Sequence, residues 1–532
     1  MDIQHTLQEC RIDSILESIG IQSLSAKALF KEQASHWTTN PDTLAARSRG
    51  WNVLKRNAST RWTSHLPRLL ENEAVLRSID PATASESQKE DWSQIFFSGD
   101  FASFNFIPFA LIYVAVSKII IAPILAWCMP LMTIFLPYLL LRFVYQLPIG
   151  WNEYWTMMKP MLFGGGLAAI GRPAAAGAEA PPITASTIIQ WGSMIFSYAH
   201  GMYIPYTNAK HCYKIDQLIV KASRAIVDTI QRLRDISDTW MAYGLRRPWS
   251  FKDPSVYGDD RQLIAWILED KYFLADLYRA IGRVEITAAI QAQDSLVPIQ
   301  WMQNATPICK MMNAVDPLLV KEKRVPFTLV MSPTEHHAIC TGPNRGGKST
   351  FLRSVLTNLV FAHSWGVAFA SRCILTPVEW IISSLRLEDR PGEQSLFERE
   401  VSVAGEILKR ARKQDTRGWV IIDELFHTTN PPDAATASQI FLQQIWASKR
   451  LATIVSTHLF SHAEIAPRNV QKLCVNSEIN RTSKKIHYQY TVGKGINTMS
   501  SVNELLVESG VVTINAVSSD PKTSNSSVEK DE

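Results

Sequence analysis

AICTGPNRGGKSTFLRSVLTNLVFAH, residues 338–363, decides the fold of the C-terminal part of the chain. Ala338-Ile339-Cys340 reads as a buried strand. The stretch from Thr350 reads as a helix, with apolar residues returning every three or four positions. Between them, Gly342-Pro343-Asn344-Arg345-Gly346-Gly347-Lys348-Ser349 fits G-x-x-x-x-G-K-[ST]. The glycines let backbone N–H groups turn inward around phosphate oxygens, and the helix N-terminus adds partial positive charge. Lys348 is placed to reach the terminal phosphates, and Ser349, followed by Thr350, to ligate Mg²⁺. Strand, loop and helix in that order predict an α/β P-loop nucleotide site.

Two further strands carry matching chemistry. Trp419-Val420-Ile421-Ile422 ends in Asp423-Glu424, about 80 residues beyond the loop. A carboxylate at a strand end can hold the metal shell, and its neighbour can polarise an attacking water. Asp423 and Glu424 take those roles. Ala452-Thr453-Ile454-Val455-Ser456-Thr457 then delivers His458 at a third strand edge, where an imidazole can sense the terminal phosphate. The predicted cofactors are ATP and Mg²⁺. Lys348, Glu424 and His458 are the catalytic candidates, residues 342–350 the nucleotide-binding ones, and Ser349 with Asp423 the metal ligands.

These motifs resemble the ATPase domain of the MutS family. TGPNRGGKST (341–350) is similar to its P-loop, in which the Gly-Pro-Asn opening is distinctive. AFASRCILTPVEWIISSLRLED (368–389) resembles the segment that crosses to the next strands. EDRPGEQSLFERE (388–400) resembles the signature region through Glu388, Asp389, Gly392, Ser395, Phe397 and Glu400. STHLF (456–460) resembles the family's Thr-His switch, and GKGINTMSSVNELLVESGVV (493–512) its C-terminal segment. Asp316-Pro317-Leu318 stands where the family has His-Pro-hydrophobic. The resemblance implies a P-loop domain of MutS/ABC type, dimerisation with composite ATP sites, and Ser395 presented to the partner's nucleotide. It makes a homodimer the expected assembly and DNA, mismatched DNA included, a candidate partner. It also aligns residues 210–290 with the family's levers, and 42–47 with the start of the same region. After Asp423-Glu424 the family has Gly-Arg-Gly-Thr-Ser. Here Leu425-Phe426-His427-Thr428-Thr429-Asn430 keeps Thr429 and Asp433 in register and has neither glycine.

Upstream, the composition changes at Phe104. Ile119–Leu141 is a 23-residue uncharged run with Pro123, Pro130 and Pro137 at seven-residue spacing. About 20 residues span a hydrocarbon core, and membranes tolerate proline in helices better than water does. Arg142, Trp151 and Trp155 follow as interfacial anchors. With the shorter apolar stretch Phe104–Ser117 and a snorkelling Lys118, the pattern predicts a membrane hairpin. Residues 164–185 are Gly/Ala/Pro-rich and read as a flexible connection. Ile183–Tyr206 is a second apolar stretch that also holds Ser186, Gln190 and Ser193. From about Tyr213, Ile215, Leu218, Ile219, Ala222, Ile226, Ile230, Leu233 and Ile236 fall at helical steps. Asp259 can cap a second lever helix bearing Leu263, Trp266, Ile267, Phe273, Leu274, Leu277 and Ile281. The cations Lys210, Lys214, Lys221, Arg224, Arg232 and Arg234 read as a solvated face. Phe30-Lys31-Glu32 matches a mismatch-probing Phe-x-Glu, but it lies in a helix-like stretch with no reader domain around it.

The expected architecture is α plus α/β. It comprises a helical region 1–103, apolar membrane segments 104–206, lever helices 207–299, the ATPase domain 300–511 and a Ser-rich, disordered tail 512–532. The 532 residues carry a net charge of only +5, which does not demand a polyanionic partner. Seven scattered cysteines without a CxxC pair indicate neither zinc nor disulfides, and point to a reduced, cytosol-facing compartment. The mixed-charge N-terminus is not a cleavable signal. The expected location is a membrane, with the ATPase domain on its cytosolic side. Two functions fit: a mismatch-repair-type ATPase handling DNA, and a membrane-anchored mechanochemical ATPase that does not read mismatches.

Overall fold

A computed structural model describes residues 3–57, 60–163, 185–270, 272–385, 396–413, 415–426, 428–479 and 486–502, with 505, 506 and 509. The chain divides into two compact units, neither continuous in sequence. One comprises Met1–Leu66, Asp238–Arg247 and Tyr278–Glu532, the other Pro67–Ser237 and Pro248–Leu277.

The first unit holds eleven strands among the described residues. They are β1 Leu296–Trp301, β2 Cys309–Ala314, β3 Phe327–Met331, β4 His337–Thr341, β5 Val367–Phe369, β6 Arg372–Leu375, β7 Trp380–Ser384, β8 Gly418–Ile422, β9 Leu451–Ser456, β10 Val470–Ile479 and β11 Ile486–Lys494. They form a five-stranded sheet, β3-β2-β6-β1-β5, and a six-stranded sheet, β11-β10-β4-β9-β8-β7. In the larger sheet β10, β4, β9, β8 and β7 run parallel, and β11 adds antiparallel. Every residue of β4, β8 and β9 is buried, as expected of parallel strands covered on both faces.

The N-terminal helices belong to this unit. Ser23 caps Leu24–Ser35 by accepting from the Ala26 amide, and Asn40 caps Pro41–Arg56. They pack on the helix Lys348–Trp365. Trp51 Nε1 donates to the Trp365 carbonyl at 2.6 Å, and Arg47 Nη1 to the carbonyls of His363 and Ser364. Phe30 is fully buried, 4.8 Å from the ring of Phe361, while Glu32 pairs with Arg279. The Phe-x-Glu is thus a core aromatic beside a surface ion pair, and its ring is not available to probe a base.

The second unit is helical, and three sequence boundaries move. Residues 110–144 are helical throughout, as Ala110–Val116, a π segment Ser117–Ile121, Ala122–Leu139 and a second π segment Leu140–Val144. Lys118 therefore lies inside a helix and not at the turn of a hairpin. A proline ring clashes with the carbonyl one turn back, and the π segment Ser117–Ile121, which contains residue 119 four before Pro123, accommodates that misfit without ending the helix. The chain turns back at 145–150 instead. There Trp151–Phe163 packs Trp151 on Phe135, and Tyr154 Oη donates to the Ile134 carbonyl at 2.6 Å.

The second boundary disappears. One 58-residue helix, Ala185–Ala242, runs from the apolar stretch through the first lever without a break at 206. Its buried stripe includes Ile215, Ile219, Ala222, Ile226, Ile230 and Leu233, and Leu218 lies off it. The third boundary is new. Asp259 caps Asp260–Glu269 in a capping box with Gln262, as expected, but that helix stops at Glu269. The Asp270 carboxylate then accepts from the amides of Tyr272 and Phe273 and starts Phe273–Ala292, so the second lever is two helices. The Gly/Ala/Pro-rich connection and the tail 512–532 fall outside the described residues, apart from Ala185.

Candidate functional site

The carboxyl ends of β4, β9 and β8 lie side by side, and each delivers part of the site. β4 feeds the loop 342–347, which ends in the buried N-terminus of Lys348–Trp365. Gly342 has φ +146° and Gly347 φ +101°, conformations that an L side chain resists, so these two glycines are required by the turn itself. A Cβ on Gly347 would also press on the Tyr490 ring at 3.3 Å. Arg345 adopts a left-handed φ of +64° at the outer corner of the loop.

Lys348 is buried. Its Nζ donates to the carbonyls of Gly342 at 2.9 Å and Pro343 at 3.3 Å, and lies 3.4 Å from His458 Nε2. Burial pulls its pKa below the ordinary lysine value, while Glu424 and Asp423 oppose that shift. His458 Nε2 is in turn 2.8 Å from Glu424 Oε1. One ring nitrogen cannot donate to Glu424 and accept from Lys348 at once, so the position of a single proton decides which bond is made.

The two acids after β8 are held by β9. Ser456 Oγ donates to Asp423 Oδ1 and accepts the Glu424 amide at 3.1 Å. Glu424 has φ +58°, a strained conformation that turns it toward the loop. Ser456 is the anchor that motif reading passed over, although it is the first residue of the Ser-Thr-His triplet.

A cavity of about 620 Å³ opens over the loop. Of the sequence candidates, Pro343, Asn344, Arg345, Gly347, Lys348, Ser349, Thr350 and Glu424 line it. Gly342, Gly346, Asp423 and His458 are not among the lining residues. Several wall residues were not singled out from sequence, among them Lys323, Phe327 and Tyr490. Tyr490 is half exposed, stacks at 6.1 Å on Tyr488 and has φ +56°. It arrives from β11 where the pairing with β10 slips, between Val475↔Val492 and Ser477↔Tyr488, and no local pattern announces it. Asp316, at the domain's opening, also lines the wall and is locked by Arg353 at 2.6 Å.

The segment after β11 is tied to the same strands. The Asn497 amide donates to Thr341 Oγ1 at 2.9 Å and its side-chain nitrogen to the Val475 carbonyl at 2.7 Å. The loop after Glu424 departs from the glycine pattern in a defined way. Phe426, at the register of the first glycine, keeps a left-handed φ of +51° and is buried beside Phe397 and Phe441. Thr428 Oγ1 donates to Glu400 at 2.7 Å. Ser395, Glu388, Asp389 and Gly392 lie outside the described residues.

A glycine-rich loop on a helix N-terminus, with a buried lysine at its end and two carboxylates at the end of β8, is an arrangement suited to holding phosphate. Residues 338–510 match the family model for MutS domain V, and they include every element just described except β1–β3, Asp316, Lys323 and Phe327.

Proposed function

We infer that the chain binds ATP with Mg²⁺ and hydrolyses it. The row Lys348, His458, Glu424, in which His458 Nε2 lies 3.4 Å from the lysine and 2.8 Å from the acid, carries this reading, because it leads from inside the phosphate loop to the acid at the cavity wall. The residues fit the cofactor: Lys348 is a buried cation now satisfied by two loop carbonyls, which phosphate oxygens can replace. A cavity of about 620 Å³ lies within the usual size range of ligand sites. Ser349 and Asp423 would hold the metal, which polarises the terminal phosphate when bound. Lys348 neutralises the oxygens within the loop. Glu424 orients water and takes its proton, and His458 holds Glu424 in place and reports on the terminal phosphate. Tyr490 offers a ring on which a base can stack.

Assembly as a homodimer follows from the MutS likeness, with Ser395 reaching the nucleotide of the second subunit. The likeness also keeps mismatch repair, with DNA as partner, as one reading. The buried Phe30 favours the other, a membrane-anchored mechanochemical ATPase. So does the helix Ala110–Met129, which is long and apolar enough to cross a membrane while only 11% of it is buried. This reading places the protein in a membrane, with the ATPase unit on the cytosolic side. The deciding experiment measures Mg-ATP binding and turnover by the full chain. Glu424→Gln retains binding and loses at least about a hundredfold in turnover. Tyr490→Ala weakens binding about tenfold, and Tyr490→Phe leaves it unchanged. A folded chain that takes up no Mg-ATP overturns the reading. DNA-stimulated turnover that falls steeply with salt favours the repair reading.

A further inference from the structure

The second unit carries its polar and apolar surfaces at different heights along the same helices. Lys118 Nζ donates to the Gln94 carbonyl, Cys212 Sγ to Gln94 Oε1 at 3.1 Å, and His211 Nε2 lies 2.7 Å from Asp91 Oδ1. These contacts fix Lys118, near the start of helix 110–144, level with 211–212 in Ala185–Ala242. Beyond that collar helix 110–144 turns apolar and exposed, and 185–210 carries exposed apolar side chains among polar ones. On one, Ile124, Leu125, Trp127 and Leu131 are each 56–62% exposed; on the other, Ile189, Ile195 and Phe196 are 68–70% exposed. Water-facing surface of this kind on two neighbouring elements is far outside what soluble proteins leave uncovered.

The lengths select the medium. Lys118 to Arg142 is 24 helical residues, about 36 Å, and 211 back to 185 is 26 residues, about 39 Å. Each exceeds the roughly 30 Å of a hydrocarbon core by about the depth of a headgroup layer. The far end carries what a second interface requires. Arg142 Nη1 donates to the Ile149 carbonyl at 2.9 Å, and Trp151, Tyr154 and Trp155 cluster beside exposed Tyr145.

We propose that helix 110–144 and the first 26 residues of Ala185–Ala242 each cross a lipid bilayer. The collar Asp91, Gln94, Lys118, His211 lies at one interface, and the turn 145–150 emerges at the other. This rests on the membrane reading above and adds depth and sidedness to it. Two crossings return the chain to its starting side, so residues before 110 and after 211 share one face. Lys210, Lys214, Lys221 and Arg224 follow on that face, the cytosolic sign of the positive-inside rule. Cys128 sits ten residues past Lys118, near the middle of the hydrocarbon, and is exposed while the other six cysteines are buried.

The experiment uses the full chain in its native membranes. Cys128 should react with a water-soluble maleimide at least about tenfold more slowly in intact membranes than after detergent, because the reagent is excluded from hydrocarbon. In a Cys128→Ser background, Tyr145→Cys and Lys210→Cys should label from opposite sides of sealed vesicles with an impermeant reagent. Labelling of both from the same side, in protein that resists carbonate extraction, overturns the crossing and leaves a one-sided anchor. Release by carbonate, with Cys128 reacting at its detergent rate, overturns the membrane reading as well.

Discussion

β8 and the helix Ala110–Met129 are both largely apolar runs, the helix carrying the single charge Lys118, and they meet opposite surroundings. Val420 and Ile421 are fully buried between strands and helices of their own unit, whereas 11% of the helix is buried. An apolar run therefore states a demand for a medium and not where that medium comes from. β8 finds it within the chain. The helix does not find it among the described residues of the chain.

Matched charge insertions test this contrast directly. Ile421→Asp should abolish folding of the first unit, because an unpaired carboxylate in that layer costs about 5 kcal/mol or more. Circular dichroism and loss of nucleotide binding would report it. An Ile421→Asp protein that unfolds with wild-type cooperativity would break the claim that β8 is sealed within its own unit.

The loop after β8 shows how far that sealing extends. Phe426 packs in the core cluster with Phe441 and Leu442, yet its backbone is left-handed at φ +51°. Phe426→Ala should destabilise the unit by about 3–5 kcal/mol through the cavity it leaves. Phe426→Gly should be milder than alanine by about 1 kcal/mol, because glycine adopts that φ without strain. Helix and strand sites show the reverse order, so denaturant unfolding of the two variants separates packing from backbone strain.

Leu125, 58% exposed, is the counterpart of Ile421. Leu125→Asp should leave unfolding in detergent within about 0.5 kcal/mol of wild type. In membranes it should weaken insertion by about 3 kcal/mol, close to a hundredfold in partition. A variant that partitions like wild type would show that this helix meets water, and the comparison with β8 would then rest on composition alone.

The catalytic half of this contrast was legible in sequence because its chemistry is local. A phosphate loop, a strand ending in Asp423-Glu424 and a strand ending in Ser-Thr-His must each be contiguous, and β4, β9 and β8 then set them side by side. Tyr490 and Ser456 were not singled out because their roles depend on strand neighbours: Tyr490 reaches Gly347 only through the pairing of β10 with β11 and β4. In the helical unit, periodicity identified the stripe of Ile215–Ile236 but not its continuity. Lys118 read as the junction of two segments where a π turn carries the helix through, and Asp270 broke a lever whose apolar spacing never faltered. The assignment of residues 1–66 to the ATPase unit has no local signal, since Trp51 and Arg47 find their partners more than 300 residues away.

Burial in the first unit also predicts a pH response that an exposed helix cannot give. His363 is wholly buried in Lys348–Trp365, with Nδ1 bonded to the Leu359 carbonyl and Nε2 accepting the Val378 amide at 3.1 Å. Desolvation lowers its pKa to about 4 from an ordinary 6.5. Protonation would also cost the bond from Val378. Between pH 6.5 and 4 the unfolded chain takes up a proton that the folded chain refuses, so stability is full above pH 6.5 and falls as pH drops through that window. One such group contributes at most about 1.4 kcal/mol per pH unit. His337, whose value burial lowers to about 3, has the same sign and remains in the variant. His363→Gln should therefore reduce, without removing, the acid slope of denaturant stability between pH 6 and 4.5. An unchanged slope would mean that His363 already carries its proton in the folded state, and that β8's unit is less dry around the phosphate-loop helix than its packing implies.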